Sequence, residues 1–174
     1  ASSMSEGYLT AAGGHRIGIC GEAVMKNGTL ETIRSPNSIC IRVARDFSGI
    51  SDPIPAAGSV LILGAPGWGK TTLLRDCIRS FSYGIRSGCG VKIGLVDERS
   101  EIAASYHGIP QNDIGPRTDV LDGCNKPEGI QMLLRTMSPE VIAVDELGTE
   151  EDFKAVEQAA YSGCKVIGTV HAGS

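Results

Sequence analysis

The chain has 174 residues, 41% of them apolar and 21% charged, a globular balance that allows one domain or a domain joined to a fragment. Sixteen Lys and Arg stand against 20 Asp and Glu, a net charge of −4, which argues against a protein that grips a polyphosphate backbone by charge alone. Twenty-three glycines, with only four Tyr, three Phe and one Trp, favour tight turns and close backbone approach over aromatic recognition surfaces.

Cys20, Cys40, Cys77, Cys89, Cys124 and Cys164 are widely spaced, with no CxxC pair and no His at zinc spacing, and they read as reduced, mostly buried thiols. No apolar run approaches the roughly 18 residues that a bilayer span needs, and no signal segment opens the chain, so the expectation is a soluble cytosolic protein. The chain starts without Met, at Ala1-Ser2-Ser3, and stops just after an apolar run, at His171-Ala172-Gly173-Ser174. It is expected to be part of a longer protein.

Residues 1–57 read as a partial β-rich N-terminal domain. Short runs at Tyr8–Thr10, Arg16–Cys20, Glu22–Met25, Leu30–Ile33 and Ser38–Val43 are separated by Gly13-Gly14, Gly21 and Asn27-Gly28, the last pair favouring a tight hairpin turn. Charge is balanced here, so the surplus of acids belongs to the C-terminal two thirds of the chain. Two prolines and a glycine in Ser51-Asp52-Pro53-Ile54-Pro55-Ala56-Ala57-Gly58 mark a boundary. Residues 58–174 then alternate strand and helix, the rhythm of a parallel sheet with crossover helices. Val60–Leu63, Val91–Val96, Val141–Val144 and Lys165–Val170 are short, nearly uninterrupted apolar strands, as in a sheet buried on both faces. Lys70–Ser82, Pro127–Met137 and Glu150–Ser162 carry helical spacing. This reading yields a four-strand core.

After the first core strand comes Gly64-Ala65-Pro66-Gly67-Trp68-Gly69-Lys70-Thr71-Thr72, a complete G-x-x-x-x-G-K-[ST]. Its glycines let the loop curl so that backbone N–H groups converge on a phosphate at a helix N-terminus. Lys70 reaches the β- and γ-phosphates, and the Thr71 hydroxyl can ligate Mg2+. Trp68 fills a position that is usually small or aliphatic and is expected to be exposed. Val141–Val144 runs into Asp145-Glu146, with Asp145 expected to hold Mg2+ through water and Glu146 to polarise the attacking water. Two further strand ends point the same way: one delivers Asp97-Glu98-Arg99-Ser100-Glu101, the other Thr169 and His171. If the last strand inserts between the first core strand and the Asp-Glu strand, His171 emerges beside the γ-phosphate as a sensor, and Glu98 and Glu101 join the site. Asn125-Lys126-Pro127-Glu128 imitates a guanine-reading NKxD for two residues only and reads as a turn into a helix.

Val96-Asp97-Glu98-Arg99-Ser100-Glu101-Ile102, Gly115-Pro116-Arg117-Thr118-Asp119-Val120-Leu121-Asp122 and Met137-Ser138-Pro139-Glu140 together resemble the stage III sporulation protein AA family. So do Gly13-Gly14-His15-Arg16-Ile17-Gly18 and Ile41-Arg42-Val43-Ala44-Arg45 upstream. The resemblance covers nearly the whole chain. It implies a RecA-like P-loop ATPase core preceded by a β-rich domain, related to type II and type IV secretion and pilus ATPases. Asp97–Glu101 and Thr169–His171 would then match the acidic and histidine boxes of those enzymes. It further implies ATP/ADP and Mg2+ as ligands, a homohexameric ring, and a place in the mother-cell cytoplasm on membrane channel proteins of the sporulation secretion complex. A ring ATPase needs positive charge delivered from a neighbouring subunit, and Arg16, Arg42, Arg45, Arg99 and Arg117 are the candidates. The alternatives are a nucleotide-dependent ring scaffold with little turnover and a DNA or RNA translocase. The core's 11 basic against 15 acidic residues, and the absence of an aromatic-basic stacking surface, weigh against the translocase and against direct nucleic-acid binding.

Overall fold

The computed structural model describes residues 8–171 apart from 44, 46, 56, 57 and 86. Residues 1–7 and 172–174, the two ends of the expected domains, lie outside the described residues, as do Ala44 of the Ile41–Arg45 motif and Ala56-Ala57 of the expected boundary. Backbone packing divides the chain into Ala1–Arg45 with Ala104–Asn112, and Asp46–Ala103 with Asp113–Ser174.

In the first unit, β1 (Tyr8–Ala11), β2 (His15–Lys26) and β3 (Thr29–Arg42) form an antiparallel sheet in that order. Asn27 and Gly28, both at positive φ (52° and 80°), close the β2–β3 hairpin as a two-residue turn should. The runs expected as separate strands on either side of Gly21 are one strand. Cys20 pairs with Ser38 and Glu22 with Arg34, so Ser35-Pro36-Asn37 bulges from β3 opposite a single residue. A side chain at Gly21 would stand 2.5 Å from the Arg34 carbonyl oxygen, so the bulge requires glycine there. Tyr106 and Ile109 exchange backbone hydrogen bonds (2.9 and 3.0 Å), and Gly13 N–H donates to Gln111 Oε1 at 2.9 Å. No position of β2 or β3 is buried.

The second unit is a five-strand parallel sheet in the order β4-β8-β7-β5-β6. Its strands are β4 (Val60–Gly64), β5 (Ile93–Asp97), β6 (Thr118–Asp122), β7 (Val141–Leu147) and β8 (Lys165–His171). Its helices are α1 (Lys70–Tyr83), α2 (Lys126–Thr136) and α3 (Glu150–Tyr161). The expected four-strand core is one strand short. Thr118-Asp119-Val120-Leu121-Asp122 forms β6 at the sheet edge, where half-burial admits acids and hides the uninterrupted apolar run that reveals an inner strand. Strand β8 does insert between β4 and β7.

Both faces of the sheet are packed. Leu74, Cys77, Ile78 and Phe81 of α1 meet Ile93, Leu95, Val141, Ala143 and Ile167 on one side. Ile130 and Leu133 of α2, with Ala155 and Ala159 of α3, meet Val96, Ile142, Val144 and Val166 on the other. The period-2 alternation along β5 and β7 therefore sends successive residues to opposite cores. Asn125 caps α2, accepting Glu128 N–H at 3.0 Å with Pro127 in the first turn, which is the turn into a helix read from the sequence. Thr149 and Asp152 form a capping box at the start of α3. Among the thiols only Cys77 is buried, which corrects the expectation of mostly buried cysteines: Cys20 and Cys40 sit on a sheet with no interior, and Cys89 is also exposed. Burial pushes the Cys77 thiol up to about 12.

Candidate active site

Residues 65–69 connect β4 to α1, and the candidate residues gather at the C-terminal end of the sheet, where parallel sheets of this kind place their sites. Gly67 and Gly69 take positive φ (78° and 79°), with open space where a side chain would stand. Gly69 is the N-cap of α1, no side chain caps the helix, and its first turn carries no acid. The orphaned N–H groups and positive helix end thus face outward from a concave glycine turn, a cradle suited to phosphate. Lys70 Nζ donates to the Ala65 carbonyl at 2.9 Å, folding back over the loop that includes Pro66. Trp68 is 79% exposed. Beside the loop, Phe47, Ile50, Leu63, Trp68, Thr72 and Leu73 line an open cleft of about 530 Å³.

Strand insertion brings distant residues onto this loop. His171 pairs in register with Gly64, and its Nδ1 lies 3.0 Å from Lys70 Nζ. An ammonium can only donate, so Nδ1 accepts, and Nε2–H is left to donate to Glu146 Oε1 at 3.1 Å. The Thr71 hydroxyl donates to Asp145 Oδ2 at 2.8 Å.

Asp145 and Glu146 sit in a bulge of β7. Val144 pairs with Gly168 and Leu147 with Val170, so two residues oppose Thr169 alone. Glu146 takes φ 51°, uncommon for a residue with a side chain. Thr169, fully buried, holds the bulge. Its hydroxyl accepts Glu146 N–H at 2.8 Å and donates to Asp145 Oδ1. The sequence placed Thr169 at a strand end; its use as a clamp depends on the bulge, which no local pattern announces.

Arg99 Nη1 lies 2.5 Å from Glu146 Oε2. Burial pushes the Glu146 carboxyl up, but the His171 hydrogen bond and the charges of Arg99 and Lys126 outweigh it and hold the group below the ordinary range. Asp97 is buried and accepts N–H bonds from Glu101 (2.9 Å), Ile102 (3.1 Å) and Ala103 (2.8 Å). Its burial outweighs those bonds and raises its carboxyl. Glu98 pairs with Lys126, and Asp97, Glu98, Arg99, Glu101, Lys126, Asp145 and Glu146 line one small pocket. Lys126 was absent from the site expected on sequence, because its run reads as a helix start.

The trans candidates are dispersed. Arg16 stacks over the Tyr8 ring at 3.5 Å and pairs in register with Arg42; Arg42 and Arg45 are exposed. Arg117 precedes β6, at the end of the sheet opposite its own phosphate loop. Arg75 donates to the Ile102 (2.8 Å) and Glu101 (2.7 Å) carbonyls, and Arg79 pairs with Asp76 at 2.8 Å.

A phosphate loop after the first strand of this sheet, with an Asp-Glu bulge and a histidine strand end beside it, defines a P-loop protein with the fold of the secretion ATPases. The Legionella pneumophila ATPase DotB superposes with a TM-score of 0.57 at 23% identity, over 92% of this chain and 43% of that one. The pilus retraction motor PilT with bound ADP gives 0.61 at 18%, over 91% and 44%. The chain belongs to the family described as Sporulation stage III, protein AA, whose model matches residues 1–174. Stage III sporulation protein AA of Bacillus subtilis (strain 168) is 45% identical over 177 residues, covering 98% of this chain and 58% of that protein. Protein SEEDLING PLASTID DEVELOPMENT 1 of Arabidopsis thaliana is 31% identical over 163 residues, 90% of this chain and 22% of the relative. The chain thus spans little more than half the length of the first relative and less of the second. Among the described residues no helix is long and apolar enough to cross a membrane.

Proposed function

We propose that the chain is the catalytic part of an ATPase that powers or gates a membrane channel during endospore formation. The observation that carries this reading is the convergence of Thr71, Asp145, Glu146, Lys70 and His171, drawn from three strand ends, on one phosphate loop. Triphosphate binds against the N–H groups at the start of α1, with Lys70 leaving Ala65 and His171 for the β- and γ-phosphate oxygens. The nucleoside extends toward the apolar cleft of Phe47, Ile50, Trp68 and Leu73. Glu146 accepts the proton of the attacking water, and its low-lying carboxyl keeps it ionised for that role at neutral pH. His171 senses the γ-phosphate, because it bridges Lys70 and Glu146.

Among the described residues no cluster of three or more His, Cys, Asp or Glu side chains could cage a metal. The donors available to Mg2+ are the Thr71 hydroxyl and the Asp145 carboxylate, hard oxygens that suit an ion completed by phosphate and water. Bound there, Mg2+ neutralises charge on the β- and γ-phosphates.

Family membership and the secretion-ATPase fold support a hexameric ring in the mother-cell cytoplasm, docked through channel proteins, with Arg16, Arg42, Arg45, Arg99 or Arg117 reaching a neighbour's nucleotide. The Arg99–Glu146 ion pair favours a second reading, a ring scaffold with slow turnover, since it engages the base. Phosphate release by the full-length protein, wild type against Lys70→Ala and Glu146→Gln, separates the two. A motor loses turnover in both variants and Glu146→Gln retains bound ATP; a scaffold works unchanged with Glu146→Gln. Sedimentation with and without Mg-ATP tests the ring, and a protein that stays monomeric with nucleotide at high concentration excludes it.

A further inference from the structure

Lys126 is in an expensive place. It opens α2, where the helix dipole repels a cation, and its side chain is only 11% exposed, whereas a lysine at a helix start ordinarily reaches for water. Three elements meet around it. Glu98, from the end of β5, pairs with its ammonium. Glu146, from the bulge of β7, and Asp152, from the start of α3, both feel its charge. The pocket it lines holds five carboxylates and only two cations, Lys126 and Arg99; the arginine is 63% exposed on a turn, so Lys126 is the fixed one. A polyphosphate entering beside Glu98 and Glu146 adds further negative charge to this space.

We propose that Lys126 is a positioning residue for hydrolysis: it pins the Glu98 carboxylate to the wall of the pocket and supplies the resident positive charge beside the Asp145-Glu146 bulge. The proposal rests on the hydrolytic reading above. Lys126 touches Glu98, not the phosphate loop, so it acts on turnover and leaves the binding of the nucleotide's phosphates to residues 64–72.

The test is steady-state ATP hydrolysis and ADP affinity of the full-length protein carrying Lys126→Met, Lys126→Arg, Glu98→Gln or both Glu98→Gln and Lys126→Met. Lys126→Met is expected to lower kcat about tenfold or more while KM and the ADP Kd move less than about threefold, and Lys126→Arg to recover most of the loss. The double variant should be no slower than Lys126→Met, since both changes break one unit. If Lys126→Met does not fold, the double variant, which removes both charges of the pair, is held to the same numbers. Turnover within about threefold of wild type, a loss confined to KM, or failure of arginine to rescue overturns the proposal while leaving the ATPase reading intact. A wild type that binds nucleotide but never turns over overturns the hydrolytic reading, and this proposal with it.

Discussion

Strands β5 and β7 are neighbours in one sheet, and Val-Asp-Glu stands at the C-terminal end of each: Val96-Asp97-Glu98 and Val144-Asp145-Glu146. Asp97 is turned inward and spends its oxygens on the N–H groups of Glu101, Ile102 and Ala103, so it shapes its own loop. Asp145 meets two hydroxyls, Thr71 and Thr169, from other strands and helices. Glu98 is tied to Lys126, whereas Glu146 is lifted by the bulge toward His171 and Arg99. The same three letters thus make a loop brace at one strand end and, in the reading proposed above, a hydrolytic pair at the next. What separates them is the neighbouring strand: β7 borders β8, which supplies Thr169 and His171, while β5 borders β6, which supplies neither.

That contrast can be broken most sharply at Glu146. Glu146→Gln keeps the shape and removes the proposed base, and ATP turnover is expected to fall about 10²- to 10⁴-fold with nucleotide binding retained. Glu98→Gln, its counterpart, should fall far less; equal losses would erase the distinction. Asp97→Ala strips the acceptor from three loop N–H groups and should cost about 3 kcal/mol, roughly 6–12 °C in Tm for a chain of this size. Asp145→Ala should leave Tm close to wild type while abolishing Mg2+-dependent turnover, as thermal melts beside phosphate release will register.

Asp76 sharpens the comparison from a third position. It is buried like Asp97, but Arg79 and the Ser51 N–H, at 2.8 Å each, outweigh its burial and hold its carboxyl below the ordinary range. It therefore stabilises the fold above the ordinary carboxylate pKa, and that stability disappears as pH falls through the lowered folded value. Asp97 works in the opposite sense: its folded form takes up a proton more readily than the unfolded chain, so rising pH costs stability up to its raised value. Asp76→Ala should cost about 2 kcal/mol at neutral pH and progressively less in acid. Urea titrations of both Asp→Ala variants at several pH values should give slopes of opposite sign. The smallest effect is expected from Thr169→Val, which removes the hydroxyl clamp at nearly constant volume: about tenfold in kcat with KM little changed.

The glycine loop, the inner strands, the three helices and the turn into α2 were legible in the sequence. Glycine spacing, uninterrupted β-branched runs and capping residues are local signals with local causes. Edge strand β6 was not, since half-burial leaves no periodic run in Thr118–Asp122. The joined strands of the N-terminal sheet were not either, because a bulge at Gly21 looks like a break when read along one strand.

The sequence by itself determined that a glycine turn opens α1 and that acids stand at the ends of the strands. Tertiary structure decided which acids do what. Thr71 and Asp145 are 74 residues apart and Lys70 and His171 are 101 apart, so their meeting follows from strand order. The bulge at Asp145-Glu146, the Thr169 clamp and the inward turn of Lys126 each depend on what lies across the sheet or beside the helix. Hydrogen bonding and burial act between such neighbours in space, and a linear pattern does not list them.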